Sequence, residues 1–384
     1  IGGPAYLLML ISETPTHVNV WTYATIVQTC GGRLNILEHA DYARKLAVDE
    51  STNFQDVLVS LQNSLADLSA GYALERGNFI GADLEDFIEE QRNMVEDHAY
   101  TSGVATGFQS LDDIYHGLHA GDLVLVAGRP GMGKSALLLN IILNIIICQK
   151  PVVYFSTELT RRQVLMRLVT IVSGVPNFKI NNPRLRNRRE EQQVQSAIAL
   201  LKDHQDLLYI DDTNAPKPFQ VRMEAQRLQQ QHDICAVFVD GVYRMKSDHD
   251  TKGDLHRRYG NIAEGLKNIA RELDLPVIAT HQLSRAVENR QDKRPVQSDL
   301  RESGRLEEEA DIIWFVYREV MYDKELGDKN RADIICGKHR NGEVKDAVLH
   351  WDGAGQKFTS AHIETIALNG TNRDYSYEPR DIDI

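Results

Sequence analysis

The sequence predicts an α/β fold built on a mostly parallel sheet and preceded by a helical region. Three observations carry this expectation. From about residue 101, short apolar runs alternate with helical patterns: Leu123–Ala127, Val152–Phe155, Leu207–Ile210, Cys235–Val239, Pro276–Thr280 and Ile312–Tyr317. That alternation belongs to strands crossing over through helices. A glycine-rich signature, GRPGMGKS, follows the first of these runs directly and opens the strongly apolar helix pattern SALLLNIIL. Upstream, segments such as Phe54–Leu68 (FQDVLVSLQNSLADL) place apolar residues three and four apart, the spacing of a helix face.

The 384 residues are 42% hydrophobic and 26% charged, an ordinary globular composition that excludes disordered, collagen-like and disulfide-stapled chains. The length suits two or three domains. Cys30, Cys148, Cys235 and Cys336 form no CxxC pair, which argues against a zinc site or disulfide framework and for a reducing, cytoplasmic setting. With 43 basic against 55 acidic side chains the net charge is −12, so the protein does not coat DNA through its overall charge. A local basic channel stays compatible with that balance. Ser135–Cys148 carries no formal charge but falls short of the about 20 apolar residues that a membrane span needs. It reads as a buried core helix, and no membrane association is expected. The opening IGGPAYLLML has neither a basic n-region nor an initiator Met, so the expectation is a chain whose beginning is missing.

The order of elements follows. Residues 1–80 read as a helical N-terminal domain, residues 81–100 as a linker, residues 101–370 as the α/β domain and residues 371–384 as a polar tail. The linker contains an amphipathic helix, Asp83–Asp97. Leu84, Phe87, Ile88 and Val95 form its apolar stripe, and Glu85, Asp86, Glu89, Glu90, Glu96 and Asp97 crowd the rest. A short helix between domains needs a surface for that stripe, either on its own chain or on a neighbouring subunit. Near the end, Ala332–Gly337 and Val344–Trp351 flank Asn341-Gly342, a hairpin signal.

The signature Gly128, Arg129, Pro130, Gly131, Met132, Gly133, Lys134, Ser135 is a complete phosphate loop, with Ala136 continuing the helix. Its glycines let backbone N–H groups face phosphates, and the helix N-terminus adds a favourable dipole. Lys134 can reach β/γ oxygens and the Ser135 hydroxyl can ligate Mg²⁺, so ATP with Mg²⁺ is the expected cofactor pair. An acid near the metal must come from a strand end. Asp211-Asp212 and Asp240 both qualify, and the more continuously apolar strand favours Asp240. Glu158 follows the strand Pro151–Ser156, and a Thr160/Gln163 capping box leaves it in the loop before the next helix, placed to polarise water. Gln282, just past Pro276–Thr280, is a candidate γ-phosphate sensor. The tip Lys338-His339-Arg340-Asn341-Gly342 presents two cations that are either solvated or act as a finger on an adjacent subunit's phosphates. Arg184–Arg189, with four arginines, and Ser284–Arg305, with six basic and four acidic residues, are either solvated faces or loops that track a nucleic-acid backbone.

The run TGFQSLDDIYHGLHAGDLVLVAGRPGMGKS, the glutamate in FSTEL, the strand end at Asp240, HQLSR, KRPVQSDLRESG and GKHRNG resemble, in order, the motifs of DnaB-type replicative DNA helicases over roughly residues 101–355. GGPAYLLML and NVWTYATIV resemble the later half of that family's helical N-terminal domain. The resemblance implies a RecA-like ATPase domain working as a hexameric ring that moves 5′ to 3′ on single-stranded DNA and unwinds duplex at the replication fork, with primase and a helicase loader as partners. It assigns Lys134 and Ser135 to nucleotide and Mg²⁺, Asp240 to the Walker B acid, Glu158 to water activation and Gln282 to γ-phosphate sensing. Lys338 and Arg340 would act on the neighbour's nucleotide. Arg301, Glu302 and Gly304 would lie in the DNA loop, and Asp83–Asp97 would be the linker helix that docks on the next subunit. The sequence departs from the family where Gly241-Val242-Tyr243 replaces Tyr-Leu-Gln, where His281 and Ser284 replace Ser and Asn, where His339 replaces Gln, and where Thr157 replaces an apolar residue. The competing expectations are a RecA-like DNA-dependent ATPase of recombination or repair that does not unwind, and a nucleotide-gated assembly module.

Overall fold

The computed structural model describes residues 20–48, 57, 61, 81–96, 101–248, 254–323, 325 and 328–360. The chain divides into two compact units, Ile1–Gln91 and Arg92–Ile384. Helix α1 (Val20–Val48) lies in the first unit, and α2 (Gly81–Glu96) runs across the boundary. Most of Phe54–Leu68 and the expected tail from residue 371 lie outside the described residues. On α2, Leu84, Phe87, Ile88 and Val95 are all exposed.

The second unit is a nine-stranded sheet in the order β3-β2-β4-β5-β1-β6-β7-β8-β9. Strands β1 (Leu123–Gly128), β2 (Val152–Ser156), β3 (Leu208–Asp211), β4 (Ala236–Asp240), β5 (Val277–Gln282) and β6 (Ile312–Tyr317) pair in parallel. The six apolar runs of the sequence are these six strands, with ends shifted by a residue or two. Strands β7 (Arg331–His339), β8 (Ala347–Asp352) and β9 (Lys357–Ser360) extend the sheet antiparallel.

Both faces of the five inner parallel strands are covered, which is why those strands are continuously apolar rather than alternating; the edge strand β3 is partly exposed. Val124 and Val126 pack into one core with Leu137, Leu138, Ile141 and Ile142 of α4 (Lys134–Ile147). Leu123, Leu125 and Ala127 face a second core with Val221 of α8 (Pro218–His232) and Leu266 of α9 (Leu255–Leu273). The charge-free run Ser135–Cys148 is thus a core helix, and among the described residues no helix is long and apolar enough to cross a membrane. The remaining helices are α3 (Gln109–Tyr115), α5 (Arg161–Ser173), α6 (Asn177–Asn181), α7 (Arg188–Asp203) and α10 (Gly304–Glu309).

The hairpin differs from the sequence expectation. Pairing of β7 with β8 stops at Ile334↔Ala347, whereas β7 continues along β6 as far as Ile312↔His339. Asn341-Gly342 therefore lies in a wide connection, not in a two-residue turn, and Val344 is outside β8. The reason is local. The Asp346 side chain takes the Cys336 N–H at 3.0 Å in place of a ladder partner. The His339 ring fills the tip, where a Cβ on Gly342 would come 2.2 Å from its Cε1.

Candidate active site

The carboxyl ends of four adjacent strands, β2, β4, β5 and β1, gather the chemistry. Gly128 ends β1 in register with Gln282 of β5, and Ser156 ends β2 in register with Asp240 of β4. Open α/β sheets bind ligands at this edge.

After Gly128 the chain turns through Gly131 (φ +81°) and Gly133 (φ +110°) into α4. Side chains rarely tolerate these angles, and a Cβ on Gly133 would also come 3.0 Å from the Phe358 ring. The turn leaves the first N–H groups of a 14-residue helix facing outward, an anion seat. Lys134 folds over the loop, its Nζ donating to the carbonyls of Gly128 (2.9 Å) and Arg129 (3.2 Å). Burial lowers its ammonium below the ordinary lysine value, against the pull of Asp240 and Glu158. Pro130, Gly131, Gly133, Lys134, Ser135 and Ala136 line a cleft of about 380 Å³. Two loop side chains turn away from it. Met132 is buried in the core. Arg129 is a strut, donating to Leu283 O and Glu288 Oε1 at 2.8 Å each, and lines the adjoining cavity rather than this cleft.

Asp240 is 1% exposed. Tyr154 Oη donates to its Oδ2 at 2.8 Å and Thr280 Oγ1 to its Oδ1 at 2.6 Å. Burial and the Asp240 charge push the Tyr154 phenol well above its usual range, which keeps it a donor. Asp240 makes no ion pair among the described residues, so a buried carboxylate has only hydroxyl partners. Hard oxygen donors from Asp240 and Ser135 fit Mg²⁺, which takes one or two protein oxygens beside phosphate and water. The rival aspartates have structural work at an edge strand: Asp211 caps the Thr213 N–H and Asp212 caps the Arg161 N–H that opens α5.

Glu158 stands exposed between β2 and α5, where the Thr160/Gln163 capping box forms as the sequence indicates. It lines the same cleft as Lys134, Ser135 and Gln282, and accepts a 2.6 Å hydrogen bond from Tyr243 Oη. Sequence reasoning missed Tyr154, Thr280, Tyr243, Arg167 and Trp351. Of these, Arg167, Tyr243 and Trp351 line the cleft itself. The available signal was a hydroxyl inside an otherwise apolar strand, as at Tyr154 and Thr280. Trp351 arrives from the antiparallel extension, and no local pattern foretells that.

The DnaB-like helicase C terminal domain family matches residues 103–360. Replicative DNA helicase DnaB of Pasteurella multocida is 34% identical over 368 residues, spanning 93% of this chain and 78% of its own. Replicative DNA helicase DnaC of Bacillus subtilis is 32% identical over 364 residues, spanning 94% and 79%. The chain belongs to the DnaB family of replicative DNA helicases. It is accordingly an ATP-dependent helicase that uses nucleotide in its RecA-like domain. A solved DnaB-like replicative helicase, studied with its primase interactions, superimposes with a TM-score of 0.76 at 26% identity, covering 94% of this chain and 84% of that one. A solved isolated ATPase domain gives 0.68 at 31% identity, covering 74% of this chain and 100% of that one.

The helicase's two candidate finger cations lie at the other edge of the sheet. Arg340 Nη1 donates to Asp311 Oδ1 at 2.8 Å, and its backbone N–H to Asp311 O at 2.9 Å. Asp311 precedes β6 and caps the Leu123 N–H that begins β1. Lys338 Nζ donates to the carbonyls of Glu307 and Glu308 at 2.7 and 2.9 Å. Partial burial and the Arg340 guanidinium hold its ammonium below the usual lysine value. Both cations are therefore docked on α10 and Asp311 rather than carried on a free projection. Arg301 lies in the 3-10 turn Gln297–Ser303 with Glu302, and Gly304 opens α10; the side chains of Arg301 and Glu302 lie outside the described residues. Parts of both basic segments are likewise structural. Arg186 ties Lys179 O to Glu191, Arg290 pairs with Asp299, and Arg294 pairs with Asp333 and Asp346.

Proposed function

We propose that this helicase is an ATP-driven motor of six identical subunits that moves 5′ to 3′ on single-stranded DNA and unwinds the replication fork in the cytoplasm. The observation that carries the reading is the separation of Arg340 from the phosphate loop of its own chain. The two sit at opposite ends of β1, about 17 Å apart along a six-residue strand. A finger at the amino edge cannot serve the nucleotide at its own carboxyl edge, so it serves a neighbour's.

In this scheme the phosphate loop residues Gly128–Ala136 hold the phosphates of ATP, and Lys134 neutralises them. Ser135 and Asp240 hold Mg²⁺, which when bound spreads charge away from the β and γ oxygens. Glu158 accepts the proton of the attacking water, and Gln282 sits beside Gly128 where it meets the γ-phosphate. Arg340 and Lys338 of the adjacent subunit close the site from outside. Arg301, Glu302 and Gly304 form the loop that follows the DNA backbone, so binding weakens steeply with salt and ignores sequence.

Ring formation needs a seat for α2. On the ATPase unit, Leu165, Met166, Val169, Ile180, Val194 and Ile198 line a shallow apolar groove rimmed by Arg162 and Arg186. Its occupant in this reading is α2 of the next subunit, whose exposed stripe carries Glu85 and Glu89 beside it. Primase, whose interactions with a solved DnaB-like helicase are known, and a loader complete the partners in this reading.

Forked duplexes bearing a single-stranded 5′ or 3′ arm test the function. Strand separation with ATP on the 5′-armed fork alone is expected. DNA-stimulated hydrolysis without separation points instead to a recombination-type ATPase, and hydrolysis blind to DNA points to an assembly module.

A further inference from the structure

Three departures from the family pattern, Thr157, Gly241 and Tyr243, meet around one atom group. Gly241 has φ +102°, and a Cβ there would lie 2.3 Å from Thr157 Oγ1 and 3.3 Å from Glu158 Cγ. The space so left is taken by the Thr157 hydroxyl, which reaches the carbonyls of Asp240 (2.8 Å) and Gly241 (3.0 Å). The Gly241 N–H donates to Thr280 Oγ1 at 2.7 Å, the same hydroxyl that holds Asp240. This stitched turn opens the 3-10 segment Val242–Arg244, whose Tyr243 reaches back to Glu158 at 2.6 Å. From behind, the Arg258 guanidinium donates to the carbonyls of Tyr243 and Met245 and fixes the segment.

We propose that Tyr243 is a positioning residue for ATP hydrolysis: its phenol grips one oxygen of Glu158 and leaves the other free to take the proton of the attacking water. Glu158 is exposed, and among the described residues Tyr243 is its hydrogen-bond partner. An exposed glutamate otherwise spreads over many rotamers, and an oriented base is worth more than a wandering one. Burial, together with the Glu158 carboxylate, raises the Tyr243 phenol above its ordinary value, so the donor keeps its proton at working pH. Tyr243 and Gln282 are also the two side chains shared by the nucleotide cleft and the adjoining cavity toward Asp299 and Leu300, which leads into the proposed DNA loop. The grip on Glu158 therefore stands at the boundary between fuel and DNA.

The inference rests on the reading of Glu158 as the water-activating base, and the test separates the two. Tyr243→Phe keeps the ring and removes only the donor. In the full-length protein with single-stranded DNA, the expected result is a fall in kcat of about tenfold, the size of one hydrogen bond to a charged group, with the KM for ATP and the affinity for a fluorescent ATP analogue unchanged. In a Glu158→Gln background, single-turnover hydrolysis should not fall further when Tyr243→Phe is added, because the amide still accepts from the phenol but no base is left for it to orient. An unchanged kcat in the single variant, a loss confined to KM, or full additivity with Glu158→Gln overturns the proposal. Unimpaired turnover in Glu158→Gln alone overturns the role of Glu158 instead.

Discussion

If catalysis is shared across subunits, two dead variants should restore each other. Arg340→Ala removes the finger, and Lys134→Ala removes the phosphate-loop cation at the other end of β1. The structure sets the magnitudes. The Arg340 side chain is 49% exposed in its pair with Asp311, so its loss should cost less than about 1 kcal/mol of stability. Asp311 keeps Lys267 at 2.6 Å and the Leu123 N–H, so the fold around the finger survives. A missing finger should lower turnover by about a thousandfold or more, with nucleotide affinity retained. In rings mixed 1:1, an interface works when its phosphate loop comes from an Arg340→Ala subunit and its finger from a Lys134→Ala subunit. Random head-to-tail assembly makes roughly one quarter of interfaces complete. Steady-state ATPase with single-stranded DNA, measured at fixed total protein across mixing ratios, should rise from two inactive ends to a maximum near equal amounts. Rings shown by subunit exchange to be mixed, yet inactive at every ratio, would refute the shared site.

Three further outcomes follow from the same geometry. Gly241→Ala should destabilise by about 1–3 kcal/mol in urea melts and depress turnover, and Thr157→Ala should return part of both by removing the clashing Oγ1. A silent Gly241→Ala would deny the lock. Burial pushes the His281 imidazole down to about 4 from an ordinary 6.5, so the unfolded chain takes up a proton that the folded one refuses. Its contribution is complete above pH 6.5 and is lost as pH falls through that window, by up to about 3 kcal/mol, and His281→Ser should flatten that slope in denaturation measured across pH. Asp311→Ala leaves Lys267, whose side chain is 14% exposed, without its carboxylate. It should cost about 3–5 kcal/mol by thermal or chemical unfolding, and adding Lys267→Met should recover part of the loss.

The sheet was legible because its signal is local and physical: strands buried on both faces must be apolar throughout, and the five inner parallel strands announce themselves in this way, with the shorter run of edge strand β3 beside them. The phosphate loop was legible for a similar reason, since its glycines are demanded by backbone angles that few other residues adopt. Glu158 and Asp240 followed from strand ends and a capping box. What escaped depends on contacts distant in sequence. Asn341-Gly342 promised a tight turn, but Asp346 and His339 overruled it by satisfying one N–H and filling the tip. The arginine-rich run Arg184–Arg189 promised a free basic face, yet Arg186 spends its guanidinium on two carbonyls and Glu191. A charge count cannot tell a cation already engaged from one that is available.

The same limit bears on how the departures from the family pattern are weighed. Taken one at a time, Gly241 for Tyr, Tyr243 for Gln and Thr157 for an apolar residue each look like erosion of the route between nucleotide and DNA. In the fold they are mutually dependent. A threonine at 157 needs a glycine at 241, because any Cβ there would strike its hydroxyl. The glycine permits the positive φ that begins the turn, and the turn delivers the phenol to Glu158. An apolar residue at 157 would leave the carbonyls of Asp240 and Gly241 without that hydroxyl, and a side chain at 241 would push into Glu158 itself. One exchange without the others disrupts the base, whereas the three together hold it. With Glu158 proposed as the base, Thr157, Gly241 and Tyr243 act as one unit that holds it, and coupling is better sought through Tyr243 than judged lost with the family's glutamine.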